Sequence, residues 1–260
     1  MQQLINPLPG PVDDPWSLES LAGVYAYPER VRRGRAWLRA NMVSGLDGAA
    51  RLDGLSEGLS GAADKRIFGV LRALADVVLV GAQTVRAEGY RPARARAEFA
   101  AAREAAGQSP APVIAIVSRG LDLDLSAPLF TAPLVRTVVV TCEDSPAEAR
   151  RAVAATADLV VAGKDAVDLP AALAELASRG WTRQLTEGGP RLLGQLAAAG
   201  LVDELCLSLA PLLSGGGSPR ILEGPAMPAA QPMRLVSLLE QQGFLFTRYV
   251  RPDGEDPGFR

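Results

Sequence analysis

The stretch QLTEGGPRLLGQL, residues 184–196, places a carboxylate, two glycines and a proline between an apolar segment and a helical pattern. TRQLTE has the alternation of a strand, and PRLLGQLAAAG has the period of a helix that ends at Gly200. Backbone N–H groups at the start of a helix that follows a strand can bind an anion, and glycines allow a phosphate to come close. From these residues alone, an anion site and a tight turn without a ligand both stay open.

Strand and helix patterns alternate on both sides of this junction. Predicted strands are 35–43, 76–82, 112–118, 136–141, 158–163, 182–187, 202–213, 233–241 and 243–251, and predicted helices are 62–75, 145–155, 168–180 and 190–200. The continuously apolar segment 76–82 is typical of a strand buried on both faces. The two last strands are adjacent, which favours antiparallel pairing. The sequence therefore predicts an α/β fold: a mixed, mostly parallel sheet flanked by helices, with antiparallel C-terminal strands.

The predicted domain organisation is simple. Residues 1–34 are rich in proline and acidic residues and are predicted to be an irregular extension, followed by one domain over 35–251. Within it, 93–110 is predicted to be an exposed helical insertion because its charges are mixed. Residues 252–260 are predicted to be a mobile tail.

Charge and hydropathy limit the partners. The 260 residues include 27 Lys and Arg against 29 Asp and Glu, so no global basic field attracts nucleic acid or an anionic membrane. No apolar stretch approaches the roughly 18 residues of a membrane span, and the N-terminus lacks the pattern of a signal peptide. We therefore expect a cytoplasmic protein that binds neither nucleic acid nor membrane.

The sequence contains no histidine, which excludes Ser-His-Asp and Cys-His catalysis. Cys142 and Cys206 lie in apolar runs and are predicted to be buried, reduced thiols. No metal site is predicted, since two cysteines would need carboxylates to complete a zinc site. An enzyme of this composition would use carboxylates or lysines for proton transfer, or a cofactor for the difficult chemistry.

Three further strand ends carry polar groups. Gly81 and Thr84 follow the buried strand and could hold a phosphate or an amide, or could only begin a helical turn. Ser118 and Arg119 follow the next strand and suit a phosphomonoester, which would favour NADPH over NADH, unless the arginine is only solvated. After the first strand, the polar side chains that could line a pocket mouth are Asn41, Ser44 and Asp47, although LDG could be only a turn. The glycine-rich LLSGGGSPRIL lacks GK[ST], which excludes a nucleoside-triphosphate loop there.

The ordered set of these motifs resembles a known family. The motifs are S-x-L-D-G at 44–48, V-G-x-x-T-V at 80–85, V-S-R at 117–119, E-G-G-P-x-L at 187–192 and V-D-E-L-x-x-x-x-A-P-x-L at 202–213. Together they resemble the reductase domain of riboflavin biosynthesis, the pyrimidine reductase with the dihydrofolate-reductase-like fold. The likeness covers roughly residues 36–250.

The resemblance implies an activity. It implies NADPH-dependent reduction of a ribosylaminopyrimidine 5′-phosphate of the 5-amino-6-(5-phosphoribosylamino)uracil type, in which the ribosyl ring opens to a ribityl chain. It also implies a homodimer, and no attached deaminase domain, for which 34 leading residues are too few. The strictly alternating run 202–213, with Leu205, Leu207 and Leu209 on one face, suits two-sided burial in such a dimer.

The resemblance also implies site residues, carried over motif by motif. The cofactor residues would be Gly81, Thr84, Ser118, Arg119, Gly188, Gly189 and Leu192, and the substrate residues would be Asn41, Ser44, Ser56 and Arg72. Asp47 and Glu187 would be the catalytic carboxylates, hydrogen bonding or delivering a proton to the sugar or pyrimidine.

The chain departs from the family pattern on the substrate side. Glu88-Gly89-Tyr90 replaces the usual Asp-Asp-Pro or Asp-Asn-Pro, and Gly58-Leu59-Ser60 replaces a Trp-Ile-Thr/Ser-like segment. Two alternatives therefore accompany the pyrimidine reductase. One is an NADPH-dependent reductase of a pterin or dihydrofolate-like heterocycle on the same fold. The other is a non-catalytic protein that binds NADPH without turnover.

Overall fold

The computed structural model of the protein describes residues 2–5, 16–32, 35–224, 226–227 and 229–252. Within these ranges the strands are β1 (Gln2–Ile5), β2 (Trp37–Gly45), β3 (Val77–Gly81), β4 (Val113–Val117), β5 (Val138–Thr141), β6 (Asp158–Val161), β7 (Arg183–Thr186), β8 (Glu204–Ala210), β9 (Arg234–Gln241) and β10 (Phe244–Val250). The helices are α1 (Leu18–Val24), α2 (Glu29–Arg32), α3 (Ala62–Leu74), α4 (Ala82–Ala87), α5 (Ala97–Ala105), α6 (Pro128–Thr131), α7 (Ala147–Thr156), α8 (Leu169–Ser178) and α9 (Pro190–Ala198), with a 3₁₀ turn at Glu57–Leu59.

The strands form one sheet in the order β1-β9-β10-β8-β2-β7-β3-β4-β5-β6. All pairs from β8 to β6 are parallel, whereas β8, β10, β9 and β1 pair in antiparallel fashion. The predicted fold class, a mostly parallel mixed sheet with antiparallel C-terminal strands, is confirmed. The order places the carboxyl ends of β2, β7, β3 and β4 side by side, where open α/β sheets bind ligands.

Helices cover both faces of the parallel half. Val78 and Val80 of β3 belong to the apolar core that includes α1 and α3, and Val77 and Leu79 belong to the core that includes α8 and α9. All four side chains are fully buried, as the continuously apolar run predicts.

The N-terminal region differs from its predicted irregular structure. Its described part contains β1, α1 and α2, because β1 pairs with the edge strand β9 and Trp16, Leu21 and Tyr25 bury against the core beside α3. Edge pairing and docking depend on distant partners, which a local sequence pattern does not show. None of the helices in the described ranges has the length and hydropathy needed to cross a bilayer.

The segment 93–110 is less exposed than predicted. Phe99 of α5 joins the core, and Arg103 is 3% exposed. The Arg103 guanidinium donates hydrogen bonds to the carbonyl oxygens of Ala73 (2.7 Å) and Ala75 (2.8 Å) at the end of α3. These unpaired helix-end carbonyls explain why a charged side chain can be buried here. The predicted mobile tail falls at 253–260 outside the described residues, apart from Pro252.

A buried ion-pair cluster joins β2, β8 and β10. The Glu204 carboxylate forms ion pairs with Arg39 and Arg248, whose Nε atoms both lie 2.7 Å from Oε1. Its Oε2 accepts a hydrogen bond from the indole N–H of Trp37 (2.8 Å). The side chains of Arg39 and Glu204 are fully buried. Arg248 also donates to the carbonyl oxygen of Val24 (2.8 Å), so this cluster attaches the N-terminal region to the sheet.

Candidate active site

The EGGP junction connects the ends of two neighbouring strands. β7 ends before Glu187, and α9 begins at Pro190. The Gly81 N–H donates to the Gly188 carbonyl (2.8 Å), and the Gly189 N–H donates to Thr84 Oγ1 (2.8 Å). The Gly188–Gly189 peptide is cis. Four of the residues expected to hold the cofactor are therefore in direct contact, although they come from motifs about a hundred positions apart.

The two glycines are needed for different reasons. Gly188 has φ +75°, the left-handed region that favours glycine. Gly189 has an ordinary φ of −65°, but a Cβ there would lie 2.6 Å from Thr84 Oγ1. A side chain at Gly189 would therefore disrupt the contact between α4 and the junction.

A cavity of about 970 Å³ opens over this junction. Gly81, Thr84, Gly189, Pro190 and Leu192 line it, together with residues within 217–224 and 226–227. Three arginines line it: Arg51, Arg191 and Arg220. Glu223 also lines it and pairs with Arg191 (3.7 Å), which leaves Arg51 and Arg220 as its excess positive charge. The first-turn N–H groups of α9 add to this charge, and the volume is ordinary for a small-molecule site. We name it the junction cavity.

Sequence patterns missed Gly194, which shapes the junction cavity. A Cβ at Gly194 would overlap the carbonyl group of Glu223, whose N–H donates to the Pro190 carbonyl (3.0 Å). The absent side chain thus allows the backbone at Glu223 to pack on α9. The only signal in the sequence was an isolated glycine within a helical pattern. Arg51 and Arg220 were also missed, because each lies in a loop without a recognisable motif.

Replacing Gly194 with alanine is expected to weaken NADPH binding at least about tenfold, near 1.4 kcal/mol. The added methyl group would push the backbone around Glu223 away from α9 and so deform the cavity wall. Isothermal titration calorimetry would measure this. Gln195→Ala, an exposed position on the same helix, is the matched control and should bind normally. Normal binding by Gly194→Ala would contradict the role assigned to this wall.

Glu187 faces away from the junction cavity and pairs with Arg72 of α3. Its two oxygens accept hydrogen bonds from Arg72 Nε and Nη2, both at 2.7 Å, and its side chain is 5% exposed. The guanidinium lies 4.4 Å from the Phe68 ring centroid and 5.0 Å from that of Tyr90. Burial alone would lower the pKa of Arg72, but the Glu187 charge raises it above its usual value. The pair therefore presents a fixed, charged guanidinium beside the junction.

Asp47 does not have the environment of a proton donor. Its carboxylate accepts hydrogen bonds from the backbone N–H groups of Gly215 (2.6 Å), Ser214 (2.8 Å) and Ala49 (3.2 Å). These bonds, that of Gly215 first, hold the pKa of Asp47 below its usual value. Asp47 therefore fastens the glycine-rich loop after β8 to the loop after β2, and its catalytic role stays a prediction.

The remaining candidates lie around the same sheet edge. Asn41 is half-buried and Ser44 is buried, both in β2. Ser118 is buried and its Oγ accepts a hydrogen bond from the Leu121 N–H (3.0 Å), while Arg119 is exposed. Neither Ser118 nor Arg119 lines the junction cavity, although β4 neighbours β3.

One of the segments that depart from the family pattern is hydrogen bonded to the loop just before the other. The Ser56 N–H, just before the 3₁₀ turn, donates to Glu88 Oε1 (3.0 Å). The carboxylate of one altered segment thus fixes the backbone two residues before the other.

The amino-acid sequence is similar to a known protein family and to named reductases. Residues 36–242 match the family described as RibD C-terminal domain. The 2,5-diamino-6-ribosylamino-4(3H)-pyrimidinone 5′-phosphate reductase of Archaeoglobus fulgidus is 31% identical over 192 residues, 73% of this chain and 87% of that protein. The protein of the same name from Methanothermobacter thermautotrophicus is 32% identical over 189 residues, 72% and 83% of the two chains.

A solved structure has a similar fold. The pyrimidine reductase-like protein of Corynebacterium diphtheriae superposes with a TM-score of 0.80 at 25% identity, covering 90% of this chain and 98% of that one. The family model spans most of the chain, including the EGGP junction and both strands beside it. The resemblance read from the motifs is confirmed, and the chain belongs to the RibD C-terminal domain family.

Proposed function

We propose that this protein is an NADPH-dependent oxidoreductase of riboflavin biosynthesis that reduces a ribosylaminopyrimidine 5′-phosphate, opening the ribosyl ring to a ribityl chain. The observation that carries the proposal is the family match over 36–242, with archaeal relatives named as reductases of such a compound. Those relatives favour the 2,5-diaminopyrimidinone form of the substrate over the deaminated uracil form.

The junction cavity supports a dinucleotide cofactor. Gly81, Thr84, Gly189 and Leu192 would form the surface on which it rests, and Arg51, Arg191 and Arg220 would neutralise its phosphates. When bound, NADPH would supply the hydride. The backbone at Gly189 is accessible because no Cβ fills the space beside Thr84.

The substrate is assigned to the other side of the junction. Arg72 uses Nε and Nη2 for Glu187, which leaves its Nη1 donors for an anionic or carbonyl group of the substrate. Asn41 and Ser56, both half-buried, and Ser44, buried in β2, are the other residues assigned to the substrate. The role of Glu187 in this arrangement is to hold the guanidinium at a fixed position and charge.

The decisive experiment follows NADPH absorbance with three substrates in parallel. The 2,5-diamino compound named for the relatives should be reduced fastest, the uracil analogue more slowly and dihydrofolate not at all. Oxidation of NADPH by dihydrofolate alone would favour the pterin-type alternative. Calorimetric binding of NADPH without turnover on any of the three would favour the non-catalytic one.

Replacing Arg119 with alanine is expected to weaken NADPH binding roughly tenfold, near 1.4 kcal/mol, with little effect on NADH. A guanidinium after β4 is assigned to the 2′-phosphate, and its exposure to solvent limits the effect. Calorimetry with both cofactors measures this, with Arg151→Ala as an exposed control. Equal affinity of the unmodified protein for NADPH and NADH would contradict the assignment of Arg119 to the 2′-phosphate.

We also propose a homodimer that forms through the antiparallel half of the sheet. On β8, Cys206, Ser208 and Ala210 face the core, whereas Leu207 and Leu209 on the other face are only half-buried. This apolar face continues into β10 and into two exposed leucines after β8; the residues are Leu207, Leu209, Leu245, Leu212 (41% exposed) and Leu213 (78% exposed). A second copy would bury it.

Sedimentation velocity at micromolar concentration should show a species of dimer mass. Leu207→Arg, which places a charge at the centre of the apolar face, should give monomers that keep their secondary structure. Only monomer in the unmodified protein would refute the dimer.

We place the reaction in the cytoplasm. Cys142 and Cys206 are buried free thiols, the state that a reducing compartment maintains. Burial raises the pKa of the Cys206 thiol, which keeps it protonated and inert.

A further inference from the structure

A buried carboxylate at the start of α3 lies outside the junction cavity and outside the ion pairs described above. Asp64 is 8% exposed, and no lysine or arginine pairs with it anywhere in the described part of the chain. Its partners are two hydroxyl groups: Ser208 Oγ donates to Oδ1 (2.6 Å), and Ser60 Oγ donates to Oδ2. An aspartate is rarely buried without a cation, so this arrangement needs an explanation.

The start of the helix explains only part of this arrangement. Asp64 is the third residue of α3, where the partial positive charge of the helix end stabilises a carboxylate. That stabilisation requires neither hydroxyl group. Ser208 lies in β8, 144 residues after Asp64, whereas Ser60 directly precedes Gly61, the residue that caps α3. The carboxylate therefore connects the turn before α3 to the sheet.

The segment connected in this way is 56–60, which we name the anchored turn. Its Leu59 is 1% exposed, and the turn lies against β2, the strand that carries Asn41. The other end of the turn is fixed from α4, because the Ser56 N–H donates to Glu88 Oε1 (3.0 Å). Carboxylates from two different helices thus hold the two ends of the anchored turn.

The anchored turn presents the hydroxyl group of Ser56. Ser56 is half-buried, and its Oγ makes no hydrogen bond within the described residues. Its backbone is fixed on both sides, since its N–H is bound by Glu88 and its carbonyl oxygen accepts from the Leu59 N–H (3.0 Å). A polar group without a partner on a fixed backbone is preorganised to bind a ligand.

We infer that Asp64 is a positioning residue for the substrate. Through Ser60 and Ser208 it connects the anchored turn to β8, and it thereby fixes the position of the Ser56 hydroxyl group. The inference rests on the proposed function, because it depends on the assignment of Ser56 to the substrate. Asp64 itself contacts neither the substrate nor NADPH. Its effect should therefore appear in KM for the substrate and not in the affinity for the cofactor.

The test is a double-mutant cycle in steady-state kinetics, with saturating NADPH and the 2,5-diamino compound named for the relatives as substrate. Ser60→Ala and Ser208→Ala each remove one of the two hydrogen bonds to Asp64. Each should raise KM at least fivefold and change kcat less than twofold. The double variant should raise KM no further than the worse single variant, because either change alone disconnects the anchored turn from β8.

Two further variants separate positioning from stability. Ser208→Thr keeps the hydroxyl group and suits a strand, so its KM should stay normal. Ser237→Ala removes a buried hydroxyl group of β9 that has no partner within the described residues, and it should also leave KM unchanged. Calorimetry should give an unchanged NADPH affinity for every variant, because none of these residues lines the junction cavity.

The possible failures are distinguishable. Unchanged KM in either single variant, or additive effects in the double variant, would overturn the inference and leave the proposed function intact. Lower stability in urea denaturation combined with unchanged KM would likewise show that Asp64 only supports the fold. Absence of turnover in the unmodified protein would overturn both the inference and the proposed function.

Discussion

Replacing Glu204 with glutamine is expected to lower the free energy of unfolding by about 3–5 kcal/mol, because it leaves buried charges without a counterion. Arg39 is fully buried beside Glu204, and Arg248 contacts the same carboxylate. Glutamine has nearly the same shape but no charge, so both guanidinium groups would lose their counterion. Urea denaturation measures the change. Glu57→Gln, at an exposed pair with Lys65, is the control and should cost less than about 1 kcal/mol.

The effect should also depend on pH. Burial alone would raise the pKa of Glu204, but the charges of Arg39 and Arg248 outweigh burial and hold the pKa below its usual value. A carboxyl whose pKa is lowered by folding stabilises the protein above its unfolded pKa, about 4.3, and loses that contribution as the pH falls through the folded pKa. The stability difference between the unmodified protein and Glu204→Gln should therefore be full at pH 7 and shrink on acidification below about pH 4. A difference that grows towards low pH would contradict this account.

Replacing Glu187 with glutamine is expected to lower turnover at least about a hundredfold, near 2.7 kcal/mol, with little change in NADPH affinity. The carboxylate orients Arg72 through two hydrogen bonds of 2.7 Å, and a glutamine can accept only one of them. Glu187 does not line the junction cavity, so the cofactor should bind as before.

Steady-state kinetics and calorimetry separate the two effects. The loss should appear in kcat and kcat/KM, as expected for a group that positions charge for the transition state. Glu57→Gln again serves as control and should react normally. Normal turnover combined with lost NADPH affinity would reverse the assignment of Glu187.

The central strands of this fold could be predicted from the sequence because they are short, continuously apolar runs. Val77 to Val80 predict a two-sided core, and the glycines after the strands mark where the chain turns into helices. The EGGP junction was also placed correctly at the end of a strand. Such features are local: they depend on residues that are neighbours along the chain.

The features that sequence reasoning did not predict depend on distant contacts. The missing side chain of Gly189 accommodates Thr84, about a hundred residues earlier. The carboxylate of Asp47 accepts hydrogen bonds from Ser214 and Gly215, which lie far along the chain. β1 could not be predicted because four residues become a strand only when the edge of β9 is beside them.

The order of the strands has a consequence for how the chain folds as it is made. β2, at the centre of the sheet, pairs only with β7 and β8, which are synthesised long afterwards, and β1 pairs with β9 across nearly the whole chain. Pairings this remote in sequence make folding slow. At ordinary translation rates β2 would wait on the order of ten seconds for its first partner to leave the ribosome. During that interval β2 has neither of its partner strands, so its apolar residues are exposed to other chains.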